Sequence, residues 1–74
     1  MQDQSITTSI QIIRLKELML ITGLSRSTIY DKQNHTSKRF DPSFPQKIQL
    51  GARAVGWLLA DVQAWLSSMI NKSV

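Results

Sequence analysis

Hydrophobic positions along this chain of 74 residues change their spacing from segment to segment, and each spacing predicts a different element. Over residues 14–21, Leu15, Leu18 and Met19 recur at intervals of three and four, which lines one stripe of a helix and leaves Lys16 and Glu17 on its wet side. Over residues 60–71, Val62, Trp65, Leu66, Met69 and Ile70 follow the i, i+3, i+4, i+7, i+8 series of a second amphipathic helix. Asp61 stands in the first turn of that helix, where the positive end of the helix dipole favours an acid. Between the two, Lys47, Ile48, Gln49 and Leu50 alternate polar with apolar, residues 51–54 can turn, and Val55-Gly56-Trp57 resumes an extended pattern. That sequence of signals predicts a small β-hairpin. Residues 10–13, Ile-Gln-Ile-Ile, form a β-prone run whose signal is burial, expected as an edge strand or an extended lead-in.

Punctuation between these segments adds a further helix. Gly23 ends the first helix by tolerating positive φ, so that Thr22 and Gly23 make a turn. Ser25 offers its hydroxyl to the free amides that follow, which predicts a helix over residues 26–33 with Ile29 pointing to the core. Residues 34–45 hold Asn, His, Thr, Ser, Lys, Arg and two prolines and sustain neither period, so they are expected as a loop with room for disorder. Residues 1–9 are polar and are expected to form a flexible arm. The expected organisation is one domain over residues 10–71, with residues 72–74 as a tail.

Composition narrows the function. A chain this short holds one small domain with a modest core, and without cysteine neither a disulfide nor a thiolate metal site can staple it. Nine Lys and Arg against five Asp and Glu give a net charge of +4, which favours a polyanionic partner without naming it. No apolar run approaches the roughly 18 residues of a membrane span, and the first residues lack the basic start of a signal peptide. A cytoplasmic protein with no membrane partner is therefore expected. His35 has no second His, no Cys and no carboxylate pair beside it, which argues against a metal ion, a catalytic role or a nucleophilic triad, and no cofactor is expected. Trp57 and Trp65 fall at apolar hairpin and helix positions and are expected in the core.

Helix, turn, helix, hairpin and helix is the order of a winged helix-turn-helix, a mainly α fold with a small β-hairpin as the wing, although the order alone permits other small α+β folds. Several blocks then match a family in the right order: Arg14-Leu15 with Glu17, Thr22-Gly23-Leu24-Ser25-Arg26-Ser27-Thr28-Ile29-Tyr30, Phe44-Pro45, Ile48-Gln49-Leu50-Gly51, Arg53-Ala54-Val55-Gly56-Trp57, and Val62 with Ala64-Trp65-Leu66. Over residues 14–66 the chain resembles the AlpA-like phage and prophage regulators. The resemblance implies a winged helix-turn-helix related to MerR-type DNA-binding domains and excisionases. It implies a transcriptional regulator of a prophage or mobile element, acting on integrase and excision genes. The segment between Tyr30 and Phe44 is longer than in the shortest members, and Ala52 stands where a second polar or basic residue is expected at the wing tip.

Beside the resemblance, the residue types suit a duplex. A recognition helix reads base edges with its first turns while basic groups and amides hold phosphates. Arg26 can grip guanine O6 and N7, and Ser25, Ser27 and Thr28 are short enough to let the helix approach the groove. Arg26 and Ser27 are the expected base contacts. Tyr30 can pack on the wing side and send its hydroxyl to a phosphate, and Lys32, Lys38 and Arg39 are phosphate candidates. On the wing, Lys47 is expected at the backbone and Arg53 in the minor groove. Two readings stay beside simple transcription control. One is an excisionase-like architectural protein that bends attachment-site DNA, with RNA polymerase or a recombinase as a further partner of the regulator. The other is a protein-interaction module built on the apolar C-terminal helix. Tandem monomers and a weak dimer remain equally open, and binding to DNA would place the protein on the nucleoid.

Overall fold

A computed structural model of the chain describes residues 10–73, so the arm expected over residues 1–9 lies outside the described residues. The elements run β1 (Ile12–Ile13), α1 (Leu15–Thr22), α2 (Arg26–Gln33), β2 (Lys47–Gln49), β3 (Val55–Leu58) and α3 (Leu59–Ser73). Helices outweigh the sheet, and β2 with β3 forms the expected wing.

Among the described residues the sheet has three strands, the hairpin and the run over residues 10–13. β3 lies in the middle, in the order β1-β3-β2, with both neighbours antiparallel to it. Ile13 and Lys47 stand opposite Trp57 from its two sides, while Ile12 stands opposite Leu58 and Ile48 opposite Gly56. Directly opposite residues share a face. Ile13, Trp57 and Val55 therefore turn toward the helices, and Ile12, Ile48 and Leu58 lie on the other side with Gly56 between them. A glycine is required there: a Cβ on residue 56 would sit 2.5 Å from Ile12 Cγ2 and 3.0 Å from the Ile13 carbonyl oxygen. The residues 10–13 run thus resolves as an edge strand, but burial stops short of Ile10, which is 68% exposed.

One hydrophobic cluster holds the fold together: Ile13, Leu18, Ile29, Phe44, Trp57, Val62 and Trp65. Every helix and every strand but β2 contributes to it, as does the segment between α2 and β2. Leu18 supplies the centre of the α1 stripe, with Leu15 and Met19 packed partly buried beside it. α1 ends as its sequence demands, with Gly23 at φ 76° and its N–H bonded to the Met19 carbonyl at 2.8 Å. Thr22, expected in the turn, is the last helical residue; its hydroxyl donates to the Leu18 carbonyl and accepts from the Leu24 N–H. α3 runs two residues past the expected 71, so 72 and 73 are helical and not tail. Its outermost apolar residue, Ile70, is 65% exposed because the core ends before the helix does.

The largest departure is the segment over residues 34–45. It folds back in successive turns, with Ser37 N–H bonded to the Asn34 carbonyl, Phe40 N–H to that of Ser37, and Phe44 N–H to that of Asp41. Asn34 and Asp41 accept from the hydroxyls and backbone amides of Thr36 and Ser43. Phe44 is buried edge-on against Trp65, with ring centroids 5.0 Å apart. What reads as room for disorder is a folded clasp.

Candidate nucleic-acid interface

α2 is the expected recognition helix and has the expected bounds. Ser25 caps it: its side chain accepts from the Thr28 N–H at 3.2 Å, and its oxygen lies 2.9 Å from the Thr28 hydroxyl. The two hydroxyls complete each other locally, which fixes the first turn before any partner arrives. Ile29 is fully buried and is the helix's only residue in the core cluster, so the rest of the first turn faces water. Arg26 and Ser27 are exposed, and Tyr30, one turn beyond Arg26, is 52% exposed.

The wing stands beside this helix. Tyr30, Gln33, His35 and Thr36 line one side of a shallow groove, and Lys47 of β2 lines the other. Leu50 N–H bonds to the Ala54 carbonyl at 2.7 Å, and Gln49 donates to the Gly51 carbonyl, which closes the turn and leaves Gly51, Ala52 and Arg53 exposed at the tip. Arg14 adds a cation that sequence reasoning did not place. Its Nε donates to the Val55 carbonyl at 2.9 Å, tying the start of α1 to the base of the wing while the side chain stays exposed. The isolated N-cap position gave no signal of this, because its partner lies 41 residues away.

At its C-terminal end α2 meets the folded clasp. Arg39 Nη1 lies 3.4 Å from Asp31 Oδ2, and Lys38 beside it is exposed. Lys32 is placed differently from the other candidate cations. Its Nζ lies 3.9 Å from Asp41 Oδ2 and 5.7 Å from the centre of the Trp65 ring, so its charge is turned into the fold. Asp41 is held below the ordinary aspartate pKa, chiefly by the hydrogen bond from the Ser43 hydroxyl, then by the Ser43 N–H and the charge of Lys32, against a desolvation that pushes the other way. Among the described residues the Trp65 indole N–H meets no acceptor at hydrogen-bonding geometry, yet it adds a smaller pull in the lowering direction.

The structure therefore gathers Ser25, Arg26, Ser27, Thr28 and Tyr30 on one helix, with Lys47 across the groove from Tyr30. It sets Arg53 at the wing tip and Lys38 with Arg39 on the clasp, and it turns the Lys32 ammonium toward Asp41 and Trp65. His35 stacks on Phe40 with centroids 4.5 Å apart, as a loop residue of this clasp. Among the described residues, no group of three or more His, Cys, Asp or Glu is gathered as a metal ion needs, and no helix is long and apolar enough to cross a membrane.

Comparison with known proteins agrees with this architecture. The family described as prophage CP4-57 regulatory protein (AlpA) matches residues 11–70. The chain is 44% identical over 59 residues to the DNA-binding transcriptional activator AlpA of Escherichia coli (strain K12), covering 80% of this chain and 84% of that protein. It is 37% identical over 60 residues to the uncharacterized protein ORF88 of Enterobacteria phage P4, covering 81% of this chain and 61% of that one. No solved structure matches the chain.

Proposed function

The chain belongs to the family of the prophage regulatory protein AlpA, and from that premise we propose that it is a DNA-binding transcriptional regulator of prophage type that reads its site with α2. The observation that carries this reading is the geometry of α2. One buried residue, Ile29, anchors the helix, a serine cap fixes its first turn, and Arg26 and Ser27 project from that turn beside an exposed wing. Such a helix end can enter a major groove without disturbing the core. Arg26 and Ser27 contact bases; Ser25 and Thr28 shape the approach, and Tyr30 and Lys47 hold the backbone on the wing side. Lys38 and Arg39 hold it from the clasp, and Arg53 reaches the adjacent minor groove. Lys32 serves the clasp. The protein acts as a regulator in the cytoplasm and not as an enzyme, and the genes it controls are those of integration and excision.

Purified full-length chain, titrated with duplex covering its own upstream region and an adjacent integrase promoter, tests this by footprinting. A protected site is expected, with binding that weakens as salt rises. Three or four cations on phosphates give a slope of log K against log salt of about −3 to −4. Absence of binding to any duplex at low salt, where counterion release helps most, would overturn the reading and leave the exposed apolar surface of α3 as the basis for a protein-interaction role. Bending of the protected site with several adjacent protections would assign the architectural, excisionase-like form of the activity.

A further inference from the structure

We propose that Asp31 is a base-reading residue of α2, positioned by Arg39, and that it sets specificity for a base that presents an amino group in the major groove. The proposal rests on the DNA-binding role given to α2 above. Ile29 faces the core with none of its side chain exposed. At about 100° per residue, positions two before and two after it lie roughly opposite, which puts Ser27 and Asp31 together at the centre of the outward face, one turn apart. Sequence reading concentrates on cations and hydroxyls and passes over an acid there.

Nothing in the fold accounts for that acid. It lies in the last turn of α2, where the helix dipole disfavours a negative charge. Among the described residues its one ion pair is to an Arg39 side chain that is 78% exposed, and exposed pairs of this kind contribute little to folding. Toward DNA, however, the arrangement is purposeful. Phosphates offer only acceptors, so a carboxylate on this face needs a base donor, and the major groove supplies one at cytosine N4 or adenine N6. Among the described residues only Oδ2 of Asp31 is engaged, and the side chain keeps 37% of its surface exposed. Arg39 holds the carboxylate in place, reduces its repulsion from the backbone, and has donors left over for a phosphate.

Selection from a randomised duplex library with wild-type, Asp31→Ala, Asp31→Asn and Arg39→Ala proteins tests this, with a thermal melt to check that each folds. Wild type is expected to enrich a site with one column of cytosine or adenine that Asp31→Ala loses by about fivefold or more, the remaining columns being kept. Asp31→Asn, which can donate as well as accept, shifts that column toward adenine. Asp31→Ala also binds a duplex lacking the site more tightly, because a repulsive charge is gone. Arg39→Ala lowers discrimination at the same column. An identical enriched site with Asp31→Ala, or a loss spread evenly over all columns, would overturn the base-reading role. A uniform loss with Arg39→Ala, the column intact, would overturn its positioning of Asp31. If wild type enriches no sequence, it is the DNA-reading function itself that fails, which the variants alone cannot mimic.

Discussion

Replacing Gly56 by Ala is the most direct test of how the wing is attached. A Cβ at this position meets three atoms: Ile12 Cγ2 at 2.5 Å, the Ile13 carbonyl oxygen at 3.0 Å and Leu50 Cδ1 at 3.1 Å. They differ in how far they can yield. Leu50 is 46% exposed and the contact is the end of its side chain, so it swings away at little cost. Ile12 is branched at Cβ and has a strongly preferred χ1, and the Ile13 oxygen is backbone, so relief requires β1 to shift against β3. Overpacking of this sort costs about 1 to 3 kcal/mol. Against it stands a gain of about 0.4 to 1 kcal/mol from the smaller entropy of the unfolded chain. The net expectation is a loss of about 1 to 2 kcal/mol, which for a domain of this size lowers Tm by roughly 5 to 15 °C. Gly51→Ala is the matched control: nothing lies within 4 Å of its added Cβ, so it should be neutral or slightly stabilising. Urea and thermal unfolding followed by circular dichroism measure both. A Gly56→Ala protein as stable as wild type would show that β1 is not seated on β3 as described.

Arg26→Ala should cost about 1 to 3 kcal/mol on the preferred site and flatten discrimination at one base pair, measured by titration against single-substituted duplexes; an unchanged preference removes Arg26 from the base-reading set. Ser25→Ala removes the acceptor for the Thr28 N–H and should lower unfolding stability by about 1 kcal/mol. Full stability in urea would mean that the cap does not hold α2. Asp41 carries the pH dependence. Its pKa is lowered in the fold from an ordinary 3.8, so its contribution is present above that value and is lost as pH falls through the still lower folded one. The Tm advantage of wild type over Asp41→Asn should therefore be steady near neutral pH and shrink below about pH 4. An advantage that persists unchanged to lower pH would separate Asp41 from its ionised contacts with Lys32 and Ser43.

Legibility in this chain follows the distance over which each interaction acts. α2 was readable to the residue because its signals are local: a serine cap three residues from the amide it accepts from, and a glycine at positive φ just before. The apolar stripes of α1 and α3 were readable at their centres, Leu18, Val62 and Trp65, but not at their ends. There Ile70 at 65% exposure shows that α3 outruns the core it packs on, while Leu20, two positions after Leu18 and 77% exposed, lies on the outward side of α1. The pairing of β1 with β3 joins Ile13 to Trp57, 44 positions apart, and no periodicity in either segment encodes it. Among the site residues, the cation of Lys32 looked like any other until Asp41 and Trp65 were brought beneath it.

The clasp over residues 34–45 was the least legible part, and it bears directly on how α2 is held. α2 gives the core cluster only Ile29, and β2 gives it nothing, so the two elements that flank the groove have few apolar anchors. Polar and aromatic contacts supply the remaining constraint. The Asp41 N–H bonds to the Lys32 carbonyl, the Asp41 carboxylate pairs with the Lys32 ammonium, Gln33 reaches the Pro45 carbonyl, and Phe44 locks against Trp65 of α3. On the proposed function, α2 cannot add apolar anchors on its outward face without displacing the exposed Arg26 and Ser27 from it. Holding its C-terminal end through a turn-rich polar segment resolves the conflict, and the composition that such turns require is the same composition that reads as disorder.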